Sequence, residues 1–365
     1  MPLATRTPPS LLPHYLAALY ALAIAYASLQ PFAPWLAPAP NTPFFLFAPF
    51  PPRYTRFDIA VNVVAYAPFG FFVALMPRRR PPLGRFLVAV AAAAALSFAM
   101  ETLQMFLPTR VASVIDLGAN IAGATLGALV GIALARSGPA KHRITELGRS
   151  WFVPGRIGDL GLALLAIWLV AQANPGIPLF ATTFESLPDV GSSALAPLPD
   201  GDFVVPLVQG AHSGLQLLGV GLFLALLLND RRRAGSAVLL LIGTAFVVKG
   251  IAAEALIKPS AWNSWLAPGV SAGIAAGALL LSAAIWLPRP VQVALAAIAL
   301  LSSLLTTLLA PDLLFARAPL TLFTRSYGHL LNFNGLTRTV LLLWPLVASA
   351  HLFALAGRPR WGDPH

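Results

Sequence analysis

The sequence predicts an all-α integral membrane protein. Hydrophobic residues make up 58% of the 365 residues, charged residues only 10%, and mean hydropathy is +0.77. A soluble core with a polar shell cannot be built from that balance. Apolar runs of about 17 to 24 residues, the length a helix needs to cross the hydrocarbon layer, recur along the whole chain. The formal charge of +11 is concentrated in short segments between those runs, where the positive-inside rule and anionic head groups account for it without nucleic acid. No cysteine is present, so disulfides, thiolate metal sites and cysteine nucleophiles are excluded.

Ten spans are expected, near residues 13–30, 58–77, 84–106, 114–135, 157–173, 212–229, 235–257, 268–287, 290–310 and 338–356. The first follows Pro8, Pro9 and Pro13 and lacks a basic n-region and a small-residue cleavage site, so it reads as a retained helix. Alternate loops hold sixteen lysines and arginines against seven. The richer set includes Arg78, Arg79 and Arg80 and the basic segment 137–156, which puts both termini in the cytoplasm. The acidic loop 174–211, with Glu185, Asp189, Asp200 and Asp202, then falls outside. The apolar stretch Pro311–Thr337, with Arg317, Arg325, Tyr327 and His329, is expected to lie in the interface or re-enter the membrane.

At an offset of 153, Arg78–Arg80 fall on Arg231–Arg233 and Glu101 falls on Glu254. The expected plan is therefore two parallel four-helix repeats with two helices appended. It divides the chain into 1–136 with the polar set, a basic cytoplasmic loop 137–156, a degenerate second repeat 157–288, and a C-terminal part 289–365. The second copy has Ala211, Leu215, Ile257, Asn263 and Gly269 where the first has Asp58, Asn62, Gln104, Arg110 and Asp116. Function is thereby directed to the first four spans.

There, Arg56, Asp58, Asn62, Glu101, Gln104, Arg110, Asp116 and Asn120 lie in or beside three spans. A charged group inside a membrane costs about 2 to 3.5 kcal/mol even on lenient scales, so such groups must satisfy one another or a ligand. Asp58 and Asn62 are four apart, as are Asp116 and Asn120, which puts each pair on one helix face. With the termini inside, the whole set lies in the outer leaflet or just above it. Asp58 and Asp116 also suit helix N-caps, and Asn62 and Asn120 suit interhelical bonding. Glu101 follows the apolar stretch Phe86–Met100, and must be paired with an arginine or held neutral. Arg56 and Arg110 at the mouth suit an anionic ligand. Gly123, Gly127 and Gly131, four apart, suit close helix packing. Lys249 and Glu254, five apart, are poorly placed to face each other. The six histidines are scattered without ligand spacing, so no metal and no cofactor is expected.

These residues resemble the VanZ-like family of bacterial membrane proteins. The resemblance rests on Arg56-Phe57-Asp58 with Asn62 and Pro68-Phe69-Gly70-Phe71, then Ser97, Glu101, Gln104, Phe106, Pro108 and Arg110, then Asp116, Asn120 and Gly123. It covers about 13–135. It implies a multi-pass protein of the bacterial cytoplasmic membrane, with a role in cell-envelope biology or sensitivity to the glycopeptide teicoplanin.

Three functions fit. One is binding of a membrane lipid or lipid-linked envelope ligand through Arg56, Asn62, Gln104, Arg110 and Asn120. The second is an enzyme acting on such a ligand by carboxylate acid/base chemistry, with Glu101, Asp58 and Asp116 as catalytic residues. The third, a transporter or flippase, suits ten spans, but the inner halves of spans two to four lack the polar path it requires.

Overall fold

The computed structural model describes residues 10–49, 55–76, 80–181, 201–263, 265–309 and 328–357. Arg78 and Arg79, the acidic residues Glu185, Asp189 and Asp200, and the segment with Arg317, Arg325 and Tyr327 lie outside the described residues. The described chain is helical and divides into two compact units, Met1–Ser150 and Trp151–His365.

The first unit contains α1 (Leu12–Leu29), α2 (Arg56–Leu75), α3 (Pro82–Gln104) and α4 (Val114–Arg136), with α5 (Gly138–Trp151) following. Each start has a local cause. Thr55 and Asp58 form a reciprocal capping box at α2, with the Thr55 hydroxyl accepting from the Asp58 amide and the Asp58 carboxylate accepting from the Thr55 amide. Pro82 opens α3, where its missing amide hydrogen costs nothing. The Ser113 hydroxyl caps α4 by accepting from the Ile115 amide at 3.1 Å.

The close packing of α2 on α4 depends on glycine. A Cβ at Gly123 would run into the Val63 carbonyl, one at Gly127 into the Ala67 carbonyl, and one at Gly70 into the Ala124 carbonyl. Small residues at four-residue spacing let the two backbones touch, which is how helices associate in a solvent as apolar as their own side chains. Tyr66, Phe69 and Val73 of α2, Ala89 and Ala93 of α3 and Ala124 and Ala128 of α4 form the core of this unit.

The second unit holds α6 (Arg156–Ala171), α7 (Gly201–Leu226), α8 (Ala234–Leu256), α9 (Pro268–Ala284), α10 (Arg289–Leu309) and α11 (Gly328–Ala356). Its core includes Trp168, Phe180, Phe223 and Trp344, and the Trp344 indole donates to the Leu164 carbonyl at 2.8 Å. Here too two helices meet through glycines. A Cβ at Gly277 would stand 2.7 Å from the Gly214 carbonyl, and one at Gly214 would stand 2.8 Å from that of Gly273.

Among the described residues, eight helices are long and apolar enough to cross a membrane. Exposed apolar residues on them, among them Val64, Leu129, Val130, Leu239 and Leu240, form a surface that water would not tolerate and lipid would. The two other expected spans coincide with α6, of 16 residues, and α9, of 17, which are shorter. The segment 137–156, read from sequence as a basic loop, contains α5. Its Ile144 and Leu147 are exposed.

Candidate binding site

The capping interactions and the glycine contacts bring the polar residues of α2, α3 and α4 together inside the first unit. Asn62 of α2 donates its side-chain amide to the Asp116 carboxylate at the start of α4. One turn further along α4, the Asn120 amide nitrogen donates to the Ser97 hydroxyl of α3 at 2.9 Å. Ser97 and Glu101 share a face of α3. The Glu101 carboxylate accepts from the Ser113 backbone amide at 2.8 Å. Glu101, Asn120 and Tyr66 are each 4% exposed and Ser97 is fully buried.

Two polar atoms in this cluster have no hydrogen-bond partner, the Asn120 Oδ1 and the Tyr66 hydroxyl. The Tyr66 hydroxyl is close enough to interact with Ser97 and lies within electrostatic reach of Glu101 and Asp116. Glu101 has no ion-pair partner among the described residues. Buried polar groups are nearly always satisfied by protein, water or a bound group, so this cluster is an incomplete network.

The remaining candidates are placed differently. Arg110 lies between α3 and α4 and turns back to α1, where its Nε donates to the Gln30 carbonyl at 2.9 Å and a terminal nitrogen donates to that of Ala27 at 2.8 Å. Gln104 does likewise, donating to the Ser28 carbonyl at 3.0 Å. Together they satisfy carbonyls at the C-terminal end of α1, a region that favours cations. Burial lowers the Arg110 pKa from its ordinary value, and the nearby Glu101 charge opposes that change. Asp58 is held in its capping box with Thr55. Arg56 is exposed at the first position of α2.

Two residues of the cluster, Tyr66 and Ser113, escaped the sequence reading. Tyr66 stands four residues beyond Asn62, continuing the polar stripe of Asp58 and Asn62 along α2, and that spacing is the signal that would have found it. Ser113 precedes α4 as its cap, and its backbone amide has no sequence signature. Lys249 of α8 is fully buried, and its ammonium donates to the Asn174 and Ile177 carbonyls at 2.7 and 2.8 Å. Glu254 is exposed on the same helix. Among the described residues, no group of three or more histidine, cysteine, aspartate or glutamate residues could hold a metal ion.

Apolar helices of membrane-crossing length around a buried carboxylate and amides define a multi-pass membrane protein with a polar site between its second, third and fourth helices. Residues 14–135 match the VanZ/LLP1 family model, so this third of the chain is similar to that family. No curated protein and no solved structure matches the chain.

Proposed function

We propose that this VanZ-type membrane protein binds a lipid-linked or amphiphilic envelope ligand at the polar cluster of α2, α3 and α4, with the acyl part of the ligand lying along the apolar helix surfaces. The carrying observation is the set of deeply buried, incompletely bonded polar groups on three adjacent helices, Tyr66, Glu101 and Asn120. A network left partly satisfied in an apolar interior costs stability, and a ligand that completes it recovers that cost on binding.

The lysine and arginine distribution supports an arrangement with both termini in the cytoplasm, the polar cluster in the outer leaflet, and residence in the bacterial cytoplasmic membrane. The glycine contacts support a duplicated plan, because Val63–Gly123 and Ala67–Gly127 in the first unit have counterparts in Gly210–Gly273 and Gly214–Gly277 in the second. An enzymatic reading has one observation in its favour, the second Glu101 oxygen, which has no partner among the described residues and is available for proton transfer.

The test is native mass spectrometry of the protein released from nanodiscs made with an envelope lipid extract. A retained adduct that disappears in the combined Glu101→Leu and Asn120→Leu variant is the expected result. Release without an adduct, or an adduct that the variant keeps, contradicts binding at this cluster.

A further inference from the structure

Three oxygens in the cluster lack a donor, and they project from three different helices. Glu101 spends one carboxylate oxygen on the Ser113 amide and has no partner for the other. Asn120 commits its nitrogen to Ser97 and leaves Oδ1 buried and unpartnered. The Tyr66 hydroxyl, on α2, is likewise buried and unpartnered beside Ser97. The Asn120–Ser97 bond, and the interaction of Tyr66 with both Ser97 and Glu101, place the three side chains against the Ser97–Glu101 face of α3.

The signs in this site are informative. The expected arginine clamp for an anion is absent from it, because Arg110 points its guanidinium at the α1 carbonyls and Arg56 is exposed. A phosphate or carboxylate entering here would bring negative charge next to the Asp116 and Glu101 carboxyl groups, and with Glu101 ionised only the Tyr66 hydroxyl of the three groups could donate to it. A primary ammonium has the opposite properties. It carries a positive charge and three N–H donors, one for each free oxygen.

We propose that Tyr66, Glu101 and Asn120 form a subsite for the primary ammonium group of an amphiphile, with Glu101 supplying the countercharge and the Asn120 and Tyr66 oxygens accepting the other two N–H bonds. This subsite rests on the binding function proposed above and specifies the chemistry of the ligand head.

The experiment compares four probes on the full-length protein in detergent: n-octylammonium, and the dihexanoyl forms of phosphatidylethanolamine, phosphatidylcholine and phosphatidylglycerol. The choline head keeps the positive charge and has no N–H, and the glycerol head has no amine. The subsite predicts that octylammonium and the ethanolamine lipid bind at least about tenfold more tightly than the other two, since charge-assisted hydrogen bonds are lost with either change. Glu101→Gln and Tyr66→Phe should each remove most of that preference, and Tyr66→Phe preserves the ring packing, so a folded variant is available. Equal binding of the ethanolamine and choline lipids, or a preference that survives both substitutions, overturns the proposal. If the envelope extract yields a Glu101-dependent adduct while none of the four probes binds, the ammonium subsite fails and the binding function stands. If neither is seen, both fail.

Discussion

Asn120 of α4 donates its side-chain nitrogen to the Ser97 hydroxyl of α3 at 2.9 Å, and in doing so turns its own amide oxygen into a buried site with no protein donor. A purely structural asparagine would use both ends. Interhelical side-chain bonds in membranes average about 0.6 kcal/mol, so Asn120→Leu should cost less than about 1 kcal/mol in reversible unfolding from bicelles. A loss of several kcal/mol would make Asn120 a structural residue and weaken its assignment to a binding site.

Arg110 and Gln104 fasten the end of α1 instead of lining the mouth of the site. Arg110→Met keeps the aliphatic stem and removes the donors to Ala27 and Gln30. Hydrogen bonds from charged groups contribute about 1.5 to 3 kcal/mol, and the variant should speed amide exchange of the last turn of α1, residues 26 to 30, by a corresponding factor. Unchanged exchange there would mean that the contact contributes nothing to holding α1.

The α2–α4 contact sets the spacing of the site, and glycines set the contact. Gly127→Ala places a methyl group against the Ala67 carbonyl, an overpacking that costs about 1 to 3 kcal/mol or more. Gly118 is the control on the same helix, since an added Cβ there meets nothing within 4 Å, and Gly118→Ala should be neutral or stabilising by up to about 1 kcal/mol from helix propensity. Melting temperatures of the two variants in detergent should therefore move apart. Equal melting temperatures would refute the role assigned to Gly127.

Lys249 organises the chain after α6. Lys249→Met preserves the length of the side chain and leaves the Asn174 and Ile177 carbonyls without their donor, at a cost of about 1 to 3 kcal/mol. Amide exchange over residues 174 to 177 reports it, and protection equal to that of the unsubstituted protein would show that these carbonyls find another donor.

Much of the fold is legible in the sequence, because a membrane-crossing helix declares itself by length and apolarity. The polar face of α2 and α4 is legible too, since Asp58 with Asn62 and Asp116 with Asn120 share the helical period. What periodicity does not carry is the path of the backbone between helices. Arg110 was expected beside a ligand, yet the chain folds back after α3 so that the Leu36 amide donates to the Phe106 carbonyl at 2.9 Å, and that turn brings Arg110 to α1. Register between the units is another case. An ungapped offset of 153 pairs Glu101 with Glu254, whereas the glycine contacts pair Val63 with Gly210 and Gly123 with Gly273, offsets of 147 and 150. At those offsets Glu101 falls on Val248 or Ile251 and not on Glu254, which is exposed where Glu101 is buried. Apolar helices align with one another at many offsets, so an ungapped comparison does not define a register.

The most direct measurement is an experimental structure of the protein in nanodiscs containing envelope lipid, at a resolution that shows bound groups between α2, α3 and α4. The account predicts non-protein density within hydrogen-bond distance of the free Glu101 oxygen, the Asn120 Oδ1 and the Tyr66 hydroxyl, continuing into an acyl chain along the helix surface. A cluster closed on itself, with those three oxygens bonded only to protein or to isolated water, would contradict a ligand site there.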